Sequence, residues 1–214
     1  MNETPDTSIE LARWFDDSGN QLTTTIQQYL GFVEDEDTEE IAKFIHQRLF
    51  NRYLKPFLLP DEKFKKYYKN GFSIMANCCL LIETLQSFKN GWENTEERGK
   101  STQAFKQFFE TESEFSVFNR EEFSKRENSF YKNIRCGILH QGEVTGGWRI
   151  NRDGGTKIFN TETLEIDSVA FARALERSLK SYSDNLKNAE WDSEPWDLFQ
   201  KKMRRIIANC KKPQ

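Results

Sequence analysis

An all-α chain, built as an antiparallel helix bundle with a small β-hairpin insertion and an acidic N-terminal arm, is the fold that three features of the sequence predict. Apolar residues recur at three- and four-residue spacing over most of residues 38–210, the signature of amphipathic helices. One short segment alternates instead, around Asp153-Gly154-Gly155. Residues 1–40 carry eleven acids against Arg13 alone, although the whole chain has a net charge of only −3.

Residues 1–37 are polar and rich in Thr and Asp, with one apolar patch from Ile9 to Phe15. They are expected to form an arm, with at most a short helix, outside a single helical domain spanning 38–214. Asp37 and Glu40 have capping-box spacing and open the first long helix. Its stripe is Ile41, Phe44, Ile45, Leu49 and Tyr53, and Pro56 and Pro60 end it. A second helix is expected from Asp61 to Lys89. Phe64, Tyr68, Phe72, Met75, Cys79 and Ile82 form one stripe, and Ile74, Cys78, Leu81, Leu85 and Phe88 another. A helix apolar on two faces belongs in the middle of a bundle. Glu83 is the only charge between Lys69 and Lys89.

A shorter helix follows in residues 101–124, through Ala104, Phe105, Phe108 and Phe109, with a Phe-rich connection behind it. The next helix is expected over about 122–141. The stretch of residues 146–160, with Trp148-Arg149-Ile150 and Lys157-Ile158-Phe159 flanking the glycines, reads as a hairpin. Helical spacing resumes from Asp167 through Val169, Ala172, Leu175, Leu179, Tyr182 and Leu186. A last helix, from about Trp196 to Cys210, carries Lys201, Lys202, Arg204 and Arg205.

The 18 Phe, 6 Tyr and 5 Trp supply enough bulk for a substantial core. No N-terminal run has signal-peptide form, and the apolar stretch from Asn70 to Phe88 is interrupted by Asn77, Glu83 and Gln86, so no membrane span is expected. Four cysteines (78, 79, 136 and 210) without a C-x-x-C pair suit a reducing cytoplasm. With residues 1–40 at −10, residues 41–214 carry +7. The asymmetry is either solvated surface or an acidic arm competing for a cationic surface that takes RNA.

Only two histidines are present, His46 and His140, which narrows the search for a proton-transfer group. No Walker loop, nucleophile elbow or zinc-ligand spacing occurs, and no metal or cofactor is expected. His46, at the edge of an apolar stripe, reads as a structural histidine. Arg135 and His140, separated by four intervening residues within Phe130-Tyr-Lys-Asn-Ile-Arg-Cys-Gly-Ile-Leu-His-Gln-Gly-Glu143, are the remaining pair. A histidine suits proton transfer near neutral pH, and the fixed fork of an arginine suits a developing anionic charge. On an ideal helix they stand about 140° and about 7.5 Å apart, so they are not expected to share a face.

This arrangement resembles the R-x(4–6)-H motif of the HEPN ribonuclease family, set late in a helical bundle. The flanking Cys79-Leu-Leu-Ile-Glu83-Thr-Leu-Gln-Ser-Phe88 and Gly146-Gly-Trp148 are similar to uncharacterised bacterial HEPN-type proteins. The resemblance covers roughly residues 38–210. It implies a HEPN-like bundle and a metal-independent endoribonuclease. It further implies a homodimer whose two Arg135/His140 pairs line one cleft, and 2′,3′-cyclic-phosphate products. A toxin or phage-defence role, with a regulatory or antitoxin protein as partner, is the family habit. Glu83 is expected to hold Arg135, and Asn133, two turns before His140, to reach phosphate or imidazole. Lys201, Lys202, Arg204 and Arg205 are expected to follow an RNA backbone. The chain departs from the family pattern at Cys136, where a polar residue commonly follows the arginine, and at Gly142, where some toxins have tyrosine. Alternatives are a non-catalytic RNA- or nucleotide-binding module and an antitoxin-like protein-interaction adaptor.

Overall fold

The computed structural model describes residues 6–58, 67 and 69–210. They are mostly helical, with two small sheets, so the helical class expected from periodicity holds. In place of one domain behind an arm, the chain forms two compact units. The first comprises Met1–Arg52, Ser87–Asn94 and Leu179–Gln214, the second Tyr53–Gln86 and Thr95–Ser178.

In the first unit, β1 (Glu10–Phe15) pairs antiparallel with β2 (Gln21–Thr25). Asp16 closes their turn by accepting from the backbone N–H of Ser18 and Asn20. A bulge between Glu10 and Ala12 breaks the alternation, so that Leu11 and Ala12 are both buried, with Trp14 beyond them. α1 (Ile26–Glu34) starts on a complete capping box between Thr25 and Gln28. Leu11, Ile26 and Tyr29 are core residues, which corrects the expectation of an external arm. The apolar patch read from Ile9 to Phe15 is thus a strand.

α2 (Thr38–Tyr53) begins as expected, with the Glu40 N–H bonded to Asp37 Oδ1 at 3.0 Å. Ile41, Phe44, Ile45 and Leu49 are buried. Arg48 donates to the Leu11 carbonyl, fastening β1 to α2. α8 (Glu194–Ala208) supplies Trp196 and Phe199. Phe199 stacks on Phe88 with centroids 5.6 Å apart and meets Tyr29 edge-on.

The second unit holds residues 71–86 of α3 (Gly71–Lys89), α4 (Lys100–Thr111), and the short α5 (Glu121–Ser124). It also holds a helical stretch made of a π-helical turn (Tyr131–Cys136) running into α6 (Gly137–Gln141), and residues 168–178 of α7 (Ser168–Asn188). Met75, Cys79 and Ile82, and Ile74, Cys78, Leu81 and Leu85, are buried on α3, matching both stripes. Phe64 and Tyr68, and the expected helix start at Asp61, lie outside the described residues. So does Pro60.

The aromatic richness is spent here. Phe105, Phe108, Phe109, Phe115, Phe118, Phe130 and Phe171 form one cluster, with Phe130 stacked on Phe171 at 5.4 Å. Fully burying such a ring contributes roughly 1.5–3 kcal/mol. Trp148, stacked on Phe159 at 4.8 Å, joins this cluster as a packing residue.

Two element assignments change in this unit. The continuous helix expected over 122–141 is interrupted at 125–129, where Asn128 donates to the Glu122 carbonyl and accepts from the Trp148 indole. The expected hairpin is a three-stranded sheet in the order β3-β5-β4. β3 (Arg149–Asn151) runs parallel to β5 (Glu165–Asp167), and β4 (Phe159–Asn160) antiparallel to it. The Asp167 carboxylate explains the rearrangement. One oxygen accepts from the Gly155 N–H at 2.8 Å, and the other from the first N–H groups of α7. The glycine loop is thereby drawn to the end of β5, which slots between its neighbours.

Among the described residues no helix is long and apolar enough to cross a membrane.

Candidate active site

Arg135 lies in the π-helical turn, one residue before its end, and His140 lies in the last turn of α6. The widened winding is recorded by the Gly137 N–H, which reaches the Lys132 carbonyl five residues back. Its cause is tertiary. Asn133 is only 1% exposed, and its side-chain amide donates to the carbonyls of Glu127 and Ser129 and accepts from the Thr145 hydroxyl at 2.8 Å. The Thr145 N–H in turn bonds the Asn133 carbonyl. Asn133 thus fastens the helix to the segments before and after it. Its side chain is engaged there rather than with His140, which replaces the role expected for it.

Two glycines permit this closure. A Cβ on Gly137 would stand 2.4 Å from the Glu143 carbonyl oxygen, and one on Gly146 would stand 2.5 Å from Asn133 Oδ1. Gly142, at φ 71°, ends α6 in the left-handed conformation two residues after His140.

Arg135 is held on two sides. Its Nε donates to Glu83 Oε1 at 2.8 Å, and its guanidinium carbon lies 5.5 Å from the Tyr131 ring centre. The other oxygen of Glu83 accepts from the Thr95 hydroxyl at 3.3 Å. Both members of the ion pair are largely shielded, with side-chain exposures of 16% for Arg135 and 11% for Glu83. Burial opposes the guanidinium charge. The hydrogen bond and charge of Glu83 outweigh it, helped by Tyr131 and Cys136, and lift the arginine pKa above its ordinary value.

Arg135 Nη1 also lies 3.3 Å from Nε2 of His140, whose side chain is exposed. The two do share a face, contrary to the expectation from an ideal helix. The π-helical turn changes the winding just upstream, α6 stops just downstream, and the long arginine side chain spans the remaining angle. One chain therefore unites a fixed cation, its buried carboxylate and an accessible imidazole. Tyr131 and Thr95 escaped the sequence reading. Tyr131 is four residues before Arg135, a spacing that signals a helical contact, whereas Thr95 sits in a polar loop with no pattern around it.

Lys201, Lys202, Arg204 and Arg205 lie on α8, in the first unit, while Arg135 and His140 belong to the second. Lys201 and Arg204 are exposed. Lys202 donates to the Glu93 carbonyl at 2.9 Å, and Arg205 faces the Glu93 carboxylate at 3.6 Å. Burial and the nearby Arg205 charge lower the Lys202 pKa, partly offset by Glu93. His46 stacks on Phe50 at 5.7 Å, in keeping with a structural histidine. Comparison with family models, curated proteins and solved structures found no match to this chain.

Proposed function

We propose that the chain is a metal-independent endoribonuclease of HEPN type that uses Arg135 and His140. The observation that carries this reading is the Glu83–Arg135–His140 chain of contacts, which joins a largely shielded, fixed cation to an exposed imidazole. In the reaction the 2′-hydroxyl of one nucleotide attacks its own 3′-phosphorus, and the P–O5′ bond breaks. His140 takes the hydroxyl proton, and Arg135 opposes the charge that builds on the phosphoryl oxygens. The leaving O5′ needs a proton. In the proposed homodimer, where two Arg135/His140 pairs line one cleft, the His140 imidazolium of the second copy supplies it. The products are a 2′,3′-cyclic phosphate and a 5′-hydroxyl. A toxin or phage-defence role, and a neutralising partner protein, belong to the same proposal.

The test incubates purified protein with mixed single-stranded RNA in EDTA. Cleavage is expected to persist under chelation, to leave cyclic-phosphate ends, and to fall at least about a hundredfold in both Arg135→Ala and His140→Ala. Undiminished cleavage in His140→Ala rejects the proposal. RNA bound with a strong salt dependence but never shortened would favour a non-catalytic binding module instead.

A further inference from the structure

We propose that the Arg135–His140 hydrogen bond is a latch that masks the imidazole in the free protein and opens when a nucleic-acid phosphate takes the guanidinium. This inference rests on the ribonuclease reading and concerns how the same site is switched on.

The chemistry follows from which atom donates. A guanidinium has only N–H donors, so in the contact between Arg135 Nη1 and His140 Nε2 the imidazole nitrogen is the acceptor. A neutral imidazole has one acceptor nitrogen and one N–H. Nε2 is therefore the basic nitrogen, Nδ1 carries the proton, and the single lone pair of Nε2 is already occupied. In this resting arrangement neither ring nitrogen is free to receive a proton from a 2′-hydroxyl. Catalysis by His140 requires the bond to break first.

The two partners differ in how freely they can let go. Arg135 is anchored at Nε by Glu83 and flanked by the Tyr131 ring, and the carboxylate is itself held by Thr95. His140 is exposed on the last turn of α6, next to the left-handed Gly142. The imidazole is thus the part that swings, and the guanidinium stays in place. A phosphodiester oxygen carries negative charge and makes a stronger, charge-assisted bond to Nη1 than a neutral ring nitrogen does. Binding the phosphate and freeing the base are then one event, with the base released beside the nucleotide that supplied the phosphate. The exchange moves one hydrogen bond and transfers no proton.

Long-range 1H–15N correlation spectra of the His140 ring test this, at pH about 8.5, where an ordinary imidazole is neutral. Arg135→Gln serves as the open reference. Its amide can still donate to Glu83, preserving the fold, but is too short to reach His140. In free wild-type protein the Nε2 resonance is expected to be displaced from its position in Arg135→Gln, with the proton on Nδ1. A 2′-deoxy single strand, which offers phosphates but no nucleophile, is expected to move the wild-type signal to the Arg135→Gln position. Coincident Nε2 signals in the two free proteins overturn the latch. So does a wild-type signal unmoved by millimolar oligonucleotide. The matching all-ribose strand separates the two ideas: if the displacements occur and that strand stays intact, the ribonuclease reading fails while the latch stands.

Discussion

Glu83 and His140 both touch Arg135, yet they sit in opposite environments, and the difference sets what each substitution should do. Glu83 is shielded and bonds a shielded cation, so its removal leaves Arg135 without its charged partner. Glu83→Ala is expected to lower stability by about 2 kcal/mol, the cost of losing a hydrogen bond to a charged group in a poorly solvated place. His140 is exposed, and His140→Ala is expected to change stability by less than about 0.5 kcal/mol. Both should abolish cleavage, the first by releasing the guanidinium and the second by removing the base. Urea unfolding of the two variants separates a positioning carboxylate from a catalytic imidazole. Equal, negligible stability losses would show the ion pair to be worth no more than a surface one.

At the level of elements, the site depends on one irregular turn and on the loop that packs against it. Replacing a helical glycine with alanine ordinarily stabilises a protein by about 1 kcal/mol. Gly137→Ala should do the reverse, by about 2 kcal/mol, because its Cβ meets the Glu143 carbonyl. It should also lose cleavage as the Arg135–His140 spacing changes. A stabilised, active Gly137→Ala in thermal unfolding and RNA assays would refute the close approach. The same irregularity marks where sequence reasoning reached its end. The stripes of α2 and α7 were legible because each helix buries one regular face, and Asp37 announced its cap by spacing alone. The pairing of Glu83 with Arg135 was legible as well, since a lone acid on an apolar helix needs a partner. The π-helical turn was not, because Asn133, Glu127, Ser129 and Thr145 impose it through bonds that no periodicity encodes. β1 stayed hidden for a related reason. Its bulge buries Leu11 and Ala12 side by side, erasing the alternation that identifies a strand.

Across the whole molecule the governing quantity is charge, −10 in residues 1–40 and +7 in the rest. Truncating the acidic segment cannot isolate its effect, because Leu11, Trp14, Ile26 and Tyr29 are buried and would be lost with it. Point neutralisation can. Glu34, Asp35 and Glu36 are exposed where α1 ends, and Glu34 sits unfavourably at the negative end of that helix's dipole. Glu36 has φ 52°, a conformation that asparagine adopts readily, so Glu34→Gln, Asp35→Asn and Glu36→Asn together should leave folding intact. The triple variant raises the net charge from −3 to zero. A polyanion feels the summed field of the protein, so the variant should associate with single-stranded RNA several-fold faster than wild type at low salt. Near 0.5 M salt, where the screening length shrinks to roughly 4 Å, the two rates should converge. Stopped-flow association measured across that range decides the matter. A rate that never depends on the three acids would make them solubilising surface, and a difference that persists at high salt would mean that they touch the RNA or its binding face directly instead of repelling it from a distance.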